Sequence, residues 1–168
     1  IDASFFFVDV VGLSDPALSV RRQIEKIEAL NNLIGHCETF KKASDKRVLP
    51  TGDGMAIGFM SSPESPLQLG IELHQALKKY NTHTSKEDGS FLDVRIGLAS
   101  GSVFIVNDVN SNQNIWGPGI IFARRVMDVG DGGHILLAGP LAESLLTLDD
   151  KYRSMISLLG DFQVKHGQ

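Results

Sequence analysis

The sequence predicts an α+β fold in which helices pack against one face of a mostly antiparallel sheet, and three observations carry that prediction. A nearly unbroken aromatic and β-branched run, FFFVDVV at residues 5–11, opens the chain as a central strand. Two stretches of helical apolar spacing follow, separated by a hairpin pattern. Beyond residue 90 the apolar residues alternate again before a third helical stretch.

Each element has its own signal. After the first strand, Asp15-Pro16 supplies a cap and a first-turn proline for a helix with Val20, Ile24, Ile27, Leu30 and Ile34 on its inner face, ending at Gly35. Residues 47–49 and 55–59 flank Gly52-Asp53-Gly54 as the strands of a hairpin. Leu69, Leu73, Ala76, Leu77 and Tyr80 mark a second helix, and the polar residues 81–90 a surface loop. Val94, Ile96 and Leu98 form a strand, with residues 102–106 as its partner after a turn at Ala99-Ser100-Gly101, and residues 109–114 form a loop. Gly117-Pro118-Gly119 starts a helix through about Val129 that turns Ile120, Ala123, Val126 and Met127 inward. Residues 134–137 make a short strand, residues 140–146 a helix opening with proline, and residues 155–159 with 162–165 a final hairpin.

Composition bounds the function. The 168 residues suit one domain, 1–168, with no second unit. Both ends look cut, because a core strand begins at once and the last strand enters a turn with nothing after it. Such ends are compatible with regulatory or sensor domains outside this segment. Apolar residues make up 42% and charged residues 21%, a globular balance. The net charge of -4 and the absence of a basic run longer than Lys41-Lys42 or Arg124-Arg125 exclude nucleic acid as a partner. The single cysteine, Cys37, predicts a buried thiol in a reducing compartment. With no signal peptide and no bilayer-length apolar run, a cytoplasmic location is expected, as a free domain or as the cytoplasmic part of a membrane-attached protein. His74 and His134 lack companions at zinc-ligand spacing, and His36-Cys37 lacks a third orienting residue. Trp116 fits a dimer contact, a pocket or the core.

Two carboxylates stand out. Asp9 interrupts an apolar strand, and a buried carboxylate must be hydrogen-bonded, protonated or paired with a cation. Asp53 is at the hairpin tip, where an ordinary turn explains it fully. If the hairpin lies beside the first strand, Asp53 approaches Asp9, and two adjacent carboxylates call for a hard divalent cation with phosphates completing its shell.

Four segments, FFFVDVVGLS, LPTGDGMAIGF, VRIGLASGSVFI and NIWGPGIIFARRVMDVGDGGHILL, resemble in order and spacing the catalytic domain of class III nucleotidyl cyclases, the adenylate and guanylate cyclase family. The resemblance covers nearly the whole chain. It implies a ferredoxin-like α+β cyclase homology domain that works as a homodimer with composite sites. The reaction implied converts a nucleoside triphosphate, ATP by default, into a 3',5'-cyclic nucleotide and pyrophosphate. It also implies that Asp9 and Asp53 hold two divalent cations, magnesium or manganese, and that the backbone from Val10 through Gly12 to Leu13 cradles phosphate. Arg125 resembles the arginine that meets charge developing on the transferred phosphoryl group, and Lys165 the lysine that meets the triphosphate tail. Arg125 read by itself is an i+3 partner for Asp128, and Lys165 a solvated strand end.

The sequence departs from the family pattern at three places. Leu49 stands where adenylate cyclases carry a base-reading lysine, and Asn114 where they carry an aspartate or similar residue, so neither adenine nor guanine is read in the familiar way. Ile121 replaces the asparagine that orients the ribose. Loss of one such donor costs roughly 3 kcal/mol, about a hundredfold in rate. These departures favour a second reading, a non-catalytic module that binds nucleotide or only dimerises.

Overall fold

Alternation along β1 (Asp2–Val10) divides the core in two: Phe6, Val8 and Val10 pack on one side, and Ala3, Phe5 and Phe7 on the other. A strand covered on both faces can be apolar throughout, which accounts for the FFFV run. The computed structural model describes residues 2–87 and 89–157.

Within them β1 is followed by α1 (Val20–Gly35), α2 (Glu38–Lys42), β2 (Lys46–Pro50), β3 (Gly54–Phe59) and α3 (Ser65–Tyr80). Next come β4 (Val94–Ser102), β5 (Phe104–Asn107), β6 (Gln113–Trp116), α4 (Pro118–Val129), β7 (Ile135–Leu137) and α5 (Gly139–Leu148). The described strands form a sheet in the order β2-β3-β1-β4-β7, antiparallel except for the parallel β4–β7 edge, while β5 and β6 form a separate two-stranded ribbon. The first four sheet strands, with α1 and α3 as connections, give the ferredoxin-like α+β arrangement that the sequence suggests.

Helices lie on both faces, which corrects the expectation of one. Leu30 and Ile34 of α1, Leu69 and Leu73 of α3, and Leu141 of α5 join Phe6 and Val8. On the opposite face Ile120, Ala123, Val126 and Met127 of α4 cover Phe5 and Phe7, in agreement with the inner face read from sequence. Gly97 lets α4 come this close, since a Cβ there would stand 2.4 Å from the Ala123 carbonyl oxygen.

Three other expectations change. Ala99, Ser100 and Gly101 do not turn the chain: they continue β4 in register with Phe5, Ser4 and Ala3, because β1 offers an unbroken row of backbone partners. The partner of β5 is accordingly β6, and part of the expected 109–114 loop is strand. The α1 cap is Ser19, whose hydroxyl accepts from the Arg22 amide, while Asp15 accepts from the Ala17 amide in a preceding turn. Val20 and Ile24 are exposed, so α1 packs on the core from Ile27 onward. Residues 155–157 are turn and irregular backbone rather than strand, and the rest of the expected last hairpin lies outside the described residues.

Candidate active site

The site forms where β1 ends. Asp9 is in register with Gly54 of β3 on one side and with Arg95 of β4 on the other. One residue later the Val10 amide donates to the Asp53 carbonyl at 2.8 Å, and the Val11 amide donates to the Asp93 carbonyl at 2.9 Å. These two bonds fix the β2–β3 turn and the start of β4 against the end of β1. Gly52 has φ +87°, a left-handed conformation that glycine accepts without strain. Asp53 is thereby held at the mouth of the site, exposed, while Asp9 is 5% exposed and buried behind it.

Asp9 already has a cationic partner. The Arg95 guanidinium donates from Nε to Asp9 Oδ1 at 3.1 Å and from Nη2 to Oδ2 at 2.7 Å, a two-pronged charge-assisted pair. The same Nη2 reaches Asp128 Oδ1 of α4 at 3.4 Å. The hydrogen bond to Asp9 raises the Arg95 pKa; burial opposes this, and the charges of Asp9, Asp128 and Asp53 add to it. Sequence reasoning passed over Arg95 and the Arg95–Asp128 contact, although a signal for Arg95 was present. With Val94, Ile96 and Leu98 committed to one core, Arg95 must face the same side as the odd-numbered Asp9.

Asp9, Asp53, Arg95 and Asp128 line a cleft of about 390 Å³, together with residues 10–14 and the loop at 129–132. Val10 and Leu13 turn their side chains into the core, so they offer backbone alone to this cleft. The amides of Val10 and Val11 are occupied, which leaves Gly12 and Leu13 of the expected phosphate cradle, and Ser14 lines the cleft beside them. A larger cleft of about 730 Å³ lies between α1 and α3, beside Leu33, Cys37 and Tyr80. Burial pushes the Cys37 thiol up to about 11, which makes it inert as a nucleophile, as the sequence suggests. The smaller cleft is the candidate because carboxylates, a cation and the turn at residues 10–14 line it together.

The donor set suits a hard cation in part. Asp9 and Asp53 line one cleft with their carboxyl groups, Asp53 at its mouth and Asp9 behind, and the guanidinium on Asp9 marks the place as one that takes positive charge. Among the described residues no group of three or more His, Cys, Asp or Glu side chains is arranged to hold a metal. Cations bound here would complete their shells with water or substrate oxygens.

The remaining predicted residues do not line this cleft. Leu49 is on β2 opposite Ala56, and its side chain packs against the core on the α4 face, which explains an apolar residue there. Asn114 is on β6, its Oδ1 accepting from the Ile115 amide at 2.9 Å. Ile121 is on α4 and 38% exposed, and Arg125 follows one turn later, half-buried. In this cleft Asp128 is contacted by Arg95. Trp116 is 51% exposed, which removes it from the core. Lys165 lies outside the described residues. No described helix is long and apolar enough to cross a membrane.

Residues 2–168 match the family model described as the adenylate and guanylate cyclase catalytic domain. Among curated proteins nothing matches. Among solved structures, the guanylate cyclase domain of RhGC from Catenaria anguillulae, in complex with GTP, is similar at 17% identity and TM-score 0.69, over 98% of this chain and 90% of that one. An adenylate cyclase from Trypanosoma brucei, solved in its monomeric state, is similar at 20% identity and TM-score 0.71, over 98% of this chain and 83% of that one. The adenylyl cyclase CyaB from P. aeruginosa is similar at 16% identity and TM-score 0.70, over 88% and 81%. Identities this low speak for the shared fold, and the family match speaks for descent: the chain belongs to the adenylate and guanylate cyclase catalytic-domain family.

Proposed function

We propose that this domain is a nucleotide cyclase that converts a nucleoside triphosphate, ATP the first candidate, into a 3',5'-cyclic nucleotide and pyrophosphate at the interface of a homodimer. One observation carries the reading: Asp9 and Asp53 line the same cleft, their backbones tied by the Val10–Asp53 hydrogen bond, with positive charge already drawn to Asp9. Two magnesium or manganese ions there would acidify the ribose 3'-hydroxyl and neutralise the leaving phosphates.

The chain's own groups suit the remaining tasks. The turn at Gly12, Leu13 and Ser14 lines the cleft and supports phosphate binding by its backbone. Arg95, on the cleft wall, adds positive charge toward an anion bound there. Arg125 is assigned to the charge on the transferred phosphoryl group from a second subunit, because it does not line its own chain's cleft. Asn114 and Lys165 are assigned to that second subunit for base and triphosphate contact.

Dimerisation is supported by the β5–β6 ribbon. Phe104, Ile105, Val109 and Trp116 are 66%, 57%, 97% and 51% exposed, an apolar arm that also carries Asn114. Such a patch on a soluble surface fits a protein partner, and a second copy would bring Asn114 to a neighbour's cleft.

The test is incubation of the protein with each of the four ribonucleoside triphosphates and manganese, followed by chromatography for cyclic monophosphate. Cyclic product from at least one is expected, and none at high protein concentration overturns the reading. A second reading, a nucleotide-binding or dimerising signalling module without turnover, is favoured by Ile121, which offers no donor where the family has asparagine. Binding without product would establish it.

A further inference from the structure

Arg95 is shared unequally between two carboxylates. Its guanidinium grips Asp9 at 2.7 and 3.1 Å and only touches Asp128 at 3.4 Å. The arginine and Asp128 are about equally open to solvent, 29% and 27%, whereas the Asp9 side chain is at 7%. The buried carboxylate therefore has little water to fall back on, and the outer one has some. The guanidinium can shift toward Asp128 within the cleft that both line.

We propose that Asp128 is a positioning residue for the cation site: it receives the Arg95 guanidinium when a divalent cation takes Asp9, and so sets how tightly that cation binds. The inference rests on the reading of Asp9 as a cation ligand. The Arg95 fork occupies both Asp9 oxygens, so a cation taking that carboxylate would meet the guanidinium charge at close range and weaken its hold. Cation binding therefore includes the release of Arg95. A released guanidinium left without a counter-charge in a half-buried cleft opposes that release, and Asp128, already in contact, removes the opposition. Asp128 acts through Arg95 and not as a ligand, which agrees with the lack of a three-carboxylate metal group among the described residues.

The roles separate in a double-mutant cycle on manganese affinity, measured without nucleotide by the paramagnetic resonance signal of free Mn²⁺. Arg95→Gln removes the competitor, and manganese binding should tighten about tenfold, while Asp128→Asn should weaken it about tenfold in the presence of Arg95. In the Arg95→Gln background the same Asp128→Asn change should cost less than about threefold, the remainder of its long-range charge. Equal weakening in both backgrounds would make Asp128 a direct ligand and overturn the proposal, as would an Arg95→Gln protein that binds manganese no more tightly than wild type. If no variant binds manganese while all remain folded, the cation-site reading itself fails and this proposal with it. Should Arg95→Gln fail to fold, Arg95→Lys replaces it. Lysine keeps the charge without the fork, and affinity between wild type and the value expected for Arg95→Gln is the supporting result.

Discussion

The Val10 amide hydrogen-bonds to the Asp53 carbonyl at 2.8 Å, so the tip of the β2–β3 hairpin is attached to the end of β1 by its backbone. The Asp53 backbone cannot drift from the end of β1 without breaking a sheet-end hydrogen bond, so Asp53 and Asp9 are kept on the lining of one cleft.

That pairing depends on Gly54. A Cβ at this position would lie 1.9 Å from the Val8 carbonyl oxygen and 2.7 Å from the Asp9 Cα, which only a parting of β1 and β3 can relieve. Gly54→Ala should lower stability by about 2–3 kcal/mol or more. The control is Gly52→Ala, where φ is +87° and nothing lies within 4 Å, for a loss of about 1 kcal/mol. Denaturant melts of the two variants compare them directly, and equal losses would contradict the close approach.

The apolar arm predicts association. Phe104→Ser removes a ring that is 66% exposed and so should leave the melting temperature nearly unchanged. Dimer dissociation, followed by sedimentation over a concentration series, should shift by about tenfold or more if this ring is a central contact. Unchanged association would place the interface elsewhere.

Ile121 predicts a gain. Its side chain is 38% exposed on α4, so asparagine can replace it without opening the core. Ile121→Asn should raise turnover toward a hundredfold, about 3 kcal/mol of transition-state stabilisation, with little change in stability. Steady-state assays of cyclic product check this. An unchanged rate would mean that another group supplies the ribose contact.

A pH effect follows from His74, whose Nε2 is buried without a hydrogen-bond partner among the described residues. Burial lowers its pKa from the ordinary 6.5, Asp93 partly offsets this, and His134 reinforces it. The unfolded chain thus takes up a proton first as pH falls below 6.5, and stability drops from there until the folded pKa is passed. Between pH 7.5 and 5.5 wild type should lose more melting temperature than His74→Gln. Parallel curves would contradict the burial.

Much of the fold was legible because periodicity survives burial. The FFFV run, the hairpin around Gly52-Asp53-Gly54 and the α4 face each encode a local rule, and each is found. The misreadings came where tertiary contact overrides a local rule. Small residues at 99–101 look like a turn, yet they serve a strand whose register continues along β1. Val20 and Ile24 have helical spacing but no layer above them, which no window of sequence reveals. At the site, the meeting of the Asp9 and Asp53 segments followed from the βαββ order. The Arg95 clamp on Asp9 needed the cross-strand register, and the Asp128 contact needed the docking of α4 on the opposite face.

The central claim is that Asp53 shares cations with Asp9 and is not merely a turn residue. Asp53→Asn keeps the dihedral tolerance and shape of the turn while removing one negative charge from the cleft mouth. Calorimetric titration of manganese with a non-cyclisable triphosphate, run on wild type and variant beside thermal melts, tests it most directly. The account predicts binding weakened at least about tenfold in the variant with an intact melt, since one ligand charge is gone and the fold is not. Equal affinities in the two proteins would contradict it and return Gly52-Asp53-Gly54 to an ordinary turn.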